Sequence, residues 1–229
     1  ILSVLNQNYP NLEYIIIDGG STDGSVEIIK KYEKYLTYWV SEKDRGIYDA
    51  MNKGILKCSG DVINIINSDD FYLPSTLKLI CDIIKKKEFD VIHGDMLILS
   101  NNTFTIKRFN PSKLKLRLYG MTYNHPTFFV KKSFYSKLLY DTRLSYISDY
   151  KFVLESVFRL KAKFVYIPQP LVVYSLGGTS YRVSFFKRLK EGYLAKRYAG
   201  FGVLESIFSQ VLRSIIFMSY KGYKGLFKR

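Results

Sequence analysis

Short apolar runs rich in β-branched residues alternate along this chain with stretches whose apolar positions recur every three or four residues. Val62-Ile63-Asn64-Ile65-Ile66 is one such run, and it stops abruptly at Asn67-Ser68-Asp69-Asp70. It reads as a buried parallel strand with paired carboxylates at its carboxyl end. In open α/β sheets that end is where ligands bind. Upstream, Tyr14-Ile15-Ile16-Ile17 is a second run that stops at an acid, Asp18. Gly19-Gly20-Ser21-Thr22-Asp23-Gly24-Ser25 follows, then Val26, Ile29 and Tyr32 at helical spacing, with Ser21 or Asp23 as the expected N-cap. Between the two runs, Ile47, Ala50, Met51, Gly54 and Ile55 define one apolar helical face, and Gly60 supplies a stop.

The pattern continues as a mixed α/β chain. Residues 74–87 read as a helix with Leu77, Ile80, Ile83 and Ile84 on one side. Residues 90–95 read as a strand ending in Gly94-Asp95, and 96–99 with 103–109 as an antiparallel hairpin around Ser100-Asn101-Asn102. Ser148 is the expected cap of a helix carrying Phe152, Val153, Val157 and Leu160, with Asp149 in its first turn. Leu171-Val172-Val173-Tyr174 is a further strand, followed by the glycine-rich Gly177-Gly178-Thr179-Ser180.

Size and charge narrow the picture. A chain of 229 residues buries a sizeable core and suits one α/β domain. We expect that domain over residues 1–181 and a basic helical extension over 182–229. Eleven basic residues against Glu191 and Glu205 give the extension +9 of the formal +15. Val203, Leu204, Ile207, Phe208, Val211, Leu212, Ile215 and Ile216 form an apolar stripe there, too polar overall to span a bilayer but suited to an anionic membrane surface. No run of eighteen apolar residues and no signal peptide is visible. Cys58 and Cys81 lack metal-ligand spacing and read as free, buried thiols of a reducing cytoplasm.

The candidate chemistry gathers at strand ends. Asp69 and Asp70 suit a divalent cation, and the cation a diphosphate. Bare backbone at Gly19 lets a nucleotide approach, with Asp18 accepting from base or ribose. Asp44 precedes the second helix and faces the same end, whereas Asp49 and Asn52 share a helix face that is either solvated or ligand-facing. His93 reads as structural, Asp95 as facing acceptor or solvent, and His125 as a surface histidine or an acceptor-side group.

The ordered segments IIIDGGSTDGS, SEKDRGIYDAMNKGI and SGDVINIINSDDFY resemble the nucleotide-binding half of the inverting glycosyltransferases of family 2, which have the GT-A fold: a Rossmann-like mixed sheet flanked by helices. The resemblance is greatest to bacterial members that build surface polysaccharides, and it runs from residue 1 to about 79. It implies nucleotide-sugar contacts at Asp18, Gly19, Asp44, Asp49, Asn52 and Asp69. It implies Mn²⁺ or Mg²⁺ at Asp70 with Asp69, and a base at Asp149 within Ser148-Asp149-Tyr150. His125 and Asp95 fall on the acceptor side. Relatives often carry two acids where this chain has Asp18-Gly19, which leaves the base open. Ile1-Leu2-Ser3-Val4-Leu5-Asn6-Gln7 resembles the back end of the family's first helix, so the first strand is expected to be missing.

The resemblance thus implies transfer of a sugar, from a UDP-sugar, to a lipid-linked or surface-glycan acceptor at the inner face of a bacterial plasma membrane, the protein being cytoplasmic and peripheral. A metal-dependent nucleotidyltransferase is the first rival, although no glycine-rich, Lys/Arg-bearing triphosphate signature is present. Net charge alone suggests a nucleic-acid-binding protein. No nucleic-acid-binding motif accompanies it, and no nucleic-acid partner is expected.

Overall fold

Alternating strands and helices do assemble into a mixed α/β architecture. A computed structural model describes residues 1–177 and 183–226, with side chains to residue 216. Strands β1 (Ile15–Asp18) and β2 (Tyr38–Ser41) pair in parallel, with Asp18 opposite Ser41. A short helix, α1 (Leu2–Leu5), precedes them, and α2 (Ser25–Lys31) connects them. Next come α3 (Ile47–Lys57), β3 (Val62–Asn64), β4 (Phe71–Tyr72), α4 (Thr76–Ile84), β5 (Val91–Ser100) and β6 (Thr103–Lys107). The chain continues through α5 (Lys113–Leu118), β7 (Phe129–Lys131), α6 (Lys132–Tyr135), α7 (Ser148–Leu154), β8 (Phe164–Ser175), α8 (Phe185–Tyr198) and α9 (Val203–Leu226).

The second sheet runs β3-β7-β5-β8-β4, with β6 added to β5. Among the described residues only β5 and β8 pair in parallel there, with a register shift around Gly94 and Asp95. Adjacent residues on central strands face opposite layers. Val91 and Val130 enter the core beneath α3 and α7, while Ile92 and Phe129 enter the one beneath α1 and α4. No backbone hydrogen bond joins β1 to β3 among the described residues. Glu13 instead ties the start of β1 to the turn before β3, accepting from Ser59 N (2.7 Å) and Gly60 N (3.0 Å).

Several expectations are corrected. β3 is shorter than its apolar run and pairs antiparallel with β7, not in parallel. Residues 91–100 are one long strand, because β8 pairs along nearly its whole length while β7 and then β6 support its other edge. The N-cap of α2 is Gly24: Ser21 is consumed by Asp18, and Asp23 accepts from Ser25 N in a turn. Ser148 is the first residue of α7, and its hydroxyl accepts from Asp141 N at 2.6 Å. On α3 the buried side is Tyr48, Met51 and Ile55, with Ile47 exposed. Cys58 and Cys81 are half-buried, not buried.

The basic extension is partly built into the fold. Lys196 is fully buried and donates to Arg117 O (2.8 Å) and Glu205 (3.2 Å), and Arg117 grips the same glutamate through two nitrogens. Arg117, against burial and with help from Lys196, holds the Glu205 carboxyl down at about 2. Glu191 accepts from Ser145 and Tyr146. These charges therefore fix α8 and α9 to α5, and α8 to the loop before α7. The opposite side of α9 stays exposed, with Leu204 at 84%, Phe208 at 56% and Ile215 at 59%.

Candidate active site

The site begins where β1 ends. Asp18 Oδ2 accepts from Gly20 N (3.0 Å), Ser21 N (2.9 Å) and Ser41 Oγ (2.6 Å), and Oδ1 from Ser21 Oγ (2.6 Å). Burial opposes the charge, but these bonds outweigh it and hold the carboxyl below its ordinary value. Asp44, after β2, presses against the same turn. A Cβ on Gly19 would lie 2.5 Å from Asp44 Oδ2, so a larger residue there would require the Asp44 side chain to turn aside. The neighbouring Gly20 has φ +85°, the left-handed region that glycine enters at no cost.

The second acidic element is the turn between β3 and β4. Asp69 is exposed and Asp70 is buried. Pairing of β4 with β8 brings in Ser175, whose N–H donates to Asp70 Oδ1 (3.0 Å) and whose hydroxyl donates to Asp69 O (2.6 Å). Asn67 donates to Asp70 Oδ2 at 3.1 Å. Burial dominates these bonds, with Asp69 adding to it, and pushes the Asp70 carboxyl up to about 6. Among the described residues no group of three or more His, Cys, Asp or Glu side chains gathers as a metal site. The donor set is thus two hard carboxylates, which fits Mg²⁺ or Mn²⁺ when further oxygens come from a diphosphate and water.

Asp149 occupies the first turn of α7, where a carboxylate suits the helix dipole. Its Oδ1 accepts from the Tyr48 hydroxyl (3.1 Å) and Tyr150 N (2.8 Å). Its Oδ2 has no partner among the described residues. Tyr174, half-buried on β8, links the two acidic elements: burial raises its phenol, and Asp70, Asp69 and Asp149 all add to the rise. All three carboxylates thus act on this one phenol.

Other expected residues are engaged in structure. Asn52 exchanges hydrogen bonds with the Tyr140 backbone, at 2.8 Å from its amide nitrogen and 3.0 Å to its oxygen. Asp49 is buried beside Arg45, which donates from both N (3.1 Å) and Nη2 (3.0 Å). Asp95 does not face solvent: it is buried and accepts from Phe109 N and the Tyr166 hydroxyl, each at 2.8 Å. His125 is likewise no surface residue. It is buried with Nε2 2.6 Å from the Tyr140 hydroxyl, and burial lowers its pKa although Asp149 pulls the other way. His93 is buried among aromatic rings, and burial takes its imidazole down to about 4. The glycine-rich segment at 177–180 lies, beyond Gly177, outside the described residues. So do the side chains of Arg182, Lys221, Lys224, Lys228 and Arg229.

Sequence reasoning missed Tyr48 and Tyr174. The spacing Tyr48-Met51-Ile55 carried the signal for the first, whereas nothing local marked the second. A groove of about 1390 Å³ lies elsewhere, at the amino ends of β3 and β5, lined by Asp61, Val62, Phe89 and several lysines. It contains none of Asp18, Asp69, Asp70 and Asp149.

Comparison with known proteins gives the geometry its context. The sequence is 31% identical over 194 residues to an uncharacterized glycosyltransferase of Haemophilus influenzae, covering 82% of this chain and 76% of that protein. The fold superposes on S. aureus TarS 1-349 in complex with UDP with a TM-score of 0.64 at 17% identity, covering 92% of this chain. The chain spans 65% of that TarS chain. It also superposes on the mannosyltransferase PcManGT from Pyrobaculum calidifontis in complex with GDP-Man and Mn²⁺, with a TM-score of 0.59 at 14% identity, covering 92% of this chain and 68% of that one. The expected GT-A-like mixed sheet is thus the fold these proteins share. The model for "Glycosyl transferase family 2" matches residues 1–144, well over half the chain, and this chain belongs to that family.

Proposed function

We propose that the protein is an inverting glycosyltransferase that moves one sugar from a nucleotide-diphosphate sugar, a UDP-sugar, to a lipid-linked or surface-glycan acceptor. The observation that carries this reading is the Asp69-Asp70 turn, held to β8 through Ser175, in a chain of this family. In this reading the transferred sugar lies between the diphosphate site and the base. Asp18 Oδ1 keeps acceptor capacity for the nucleoside, and the Gly19 backbone lets it approach. Asp69 and Asp70 would hold Mn²⁺ or Mg²⁺, which when bound offsets the charge on the leaving diphosphate.

Asp149 does the proton chemistry. Tyr48 and Tyr150 N fix Oδ1, so Oδ2 is the oxygen that takes the proton from the acceptor hydroxyl. The acceptor oxygen attacks the anomeric carbon as the bond to the diphosphate oxygen breaks, and that oxygen keeps the electron pair. One displacement inverts the anomeric centre. The exposed stripe of α9 supports docking of segment 182–229 on an anionic membrane, at the cytoplasmic face of the bacterial plasma membrane. No helix among the described residues is long and apolar enough to cross a membrane.

The test is a panel of nucleotide-sugars with and without Mn²⁺, followed by release of the nucleoside diphosphate. Metal-dependent release of UDP from one or a few UDP-sugars is expected. Release of pyrophosphate from a nucleoside triphosphate and a sugar phosphate, with no turnover of any nucleotide-sugar, would replace the reading with nucleotidyl transfer.

A further inference from the structure

Tyr140 lies in the loop between α6 and α7 and is held at its ring, its hydroxyl and its backbone. The ring is buried and stacks on Tyr48, with centroids 5.7 Å apart and planes at 24°, and on Phe152, at 5.1 Å and 27°. The hydroxyl lies 2.6 Å from His125 Nε2 and 3.3 Å from the Tyr135 hydroxyl. The backbone N–H and carbonyl both bond the Asn52 side chain. A phenylalanine would fill the same space with no buried hydroxyl to satisfy, so packing alone does not account for this residue.

The origin of those contacts shows what Tyr140 joins. Tyr48 and Asn52 are one turn apart on α3, and they take its ring and its backbone respectively. Phe152 is on α7, three residues after Asp149 and on the same side of that helix. Tyr140 thus bridges the helix that carries the Tyr48 hydroxyl and the helix that carries the carboxylate it bonds. The contact being spanned is the 3.1 Å hydrogen bond from Tyr48 to Asp149 Oδ1. A close-packed interior transmits displacement, so a slip of the Tyr140 ring moves Tyr48 against Asp149. His125 and Tyr135 oppose that slip from the hydroxyl end.

We propose that Tyr140 is a positioning residue: anchored by His125, it places Tyr48 and thereby orients the Asp149 carboxylate for the acceptor hydroxyl. This rests on the reading of Asp149 as the base and adds two residues that act on it through Tyr48.

The test is a double-mutant cycle on the full chain, with UDP release from the nucleotide-sugar that the panel selects. Tyr48→Phe and Tyr140→Leu should each lower kcat about tenfold, as loss of one hydrogen bond to a charged group does, with KM and UDP affinity held. Together they should cost about the same tenfold, because both remove the same bond. Tyr140→Phe keeps the ring and the fold, and it should lower kcat a few-fold. His125→Leu should match it, and His125→Gln, which offers the hydroxyl an amide, should recover most of the loss. Losses that multiply in the double variant, or a lower Tm at unchanged kcat, overturn the proposal, since Tyr140 is then packing alone. Where Tyr140→Leu does not fold, the cycle of Tyr140→Phe with Tyr48→Phe decides by the same criterion. Crystal structures of the Tyr140 variants give a readout that needs no turnover. The Tyr48 hydroxyl should draw away from Asp149, and a hydroxyl that stays in place in both variants overturns the proposal. If no nucleotide-sugar turns over in the unaltered protein, the glycosyl-transfer reading falls, while the crystal structures still decide for or against Tyr140.

Discussion

Replacing Asp70 by Asn should stabilise the protein at neutral pH while destroying its metal-dependent binding. Burial raises the Asp70 carboxyl from its ordinary 3.8 to about 6. Each pKa unit is worth about 1.4 kcal/mol, so the ionised group costs the folded state about 3 kcal/mol above that pKa. The sign follows from proton uptake: between pH 4 and 6 the folded state holds the extra proton, so stability is lost as pH rises through this window. In Asp70→Asn the oxygen facing Ser175 N is retained, and the new amide group meets the Asn67 amide, which must turn or give up a hydrogen bond worth about 1 kcal/mol. The net gain at pH 8 is about 2 kcal/mol, or roughly 4–8 °C in Tm for a chain of this size. Near pH 4 the gain vanishes, because the native carboxyl is then neutral as well. The assay is thermal unfolding of both proteins at pH 4, 6 and 8, with and without UDP and Mn²⁺. The ligands should raise the native Tm above pH 6, raise it less as Asp70 protonates below, and leave the variant unmoved. A Tm difference independent of pH, or a variant still stabilised by the metal and UDP, would refute the reasoning.

Asp149→Asn should keep UDP affinity and lower transfer by about a hundredfold or more, as loss of a base does; near-normal turnover in a steady-state assay would remove Asp149 from the mechanism. Tyr48→Phe removes one donor to Asp149 Oδ1, so kcat should fall about tenfold, the equivalent of one charge-assisted bond, with donor binding intact. An unchanged kcat would deny Tyr48 its orienting role. Cutting the chain near residue 182 would strip buried Ala195 and Lys196 from the fold. The membrane contact is better tested by Leu204→Ser, Phe208→Ser and Ile215→Ser together. Liposome flotation of this triple variant on anionic vesicles should drop several-fold at unchanged Tm, and undiminished flotation would show that α9 is not the contact.

The acid-ended strands were legible because the signal is local: a β-branched run and the acid that ends it are neighbours in sequence. What those acids touch was not. Asp70 is held by Ser175, 105 residues away, through the β4–β8 pairing, and Asp149 by Tyr48, 101 residues away, through helices on one side of the sheet. No periodicity carries such information. The direction of β3 was misread for a related reason: an apolar run shows that a strand is covered on both faces, not which neighbour covers it. The polar residues of α3 show a further limit. Asn52 has the look of a ligand-facing side chain, yet the Tyr140 backbone uses both ends of its amide.

The division of the strands into two sheets has a mechanical consequence. Asp18 rides on the β1–β2 pair, whereas Asp69 and Asp70 ride on the larger sheet. Among the described residues no backbone ladder joins the smaller pair to its neighbour, which it holds through Glu13 and the side of α3. Its amides should therefore exchange with solvent through local openings that leave β5 and β8 protected, making it a cooperative unit of lower stability. A nucleotide contacting Asp18 at one end and a metal at Asp70 at the other would span both units. Such a ligand acts as a cross-brace, and much of its binding energy goes into suppressing those openings rather than into the contacts themselves.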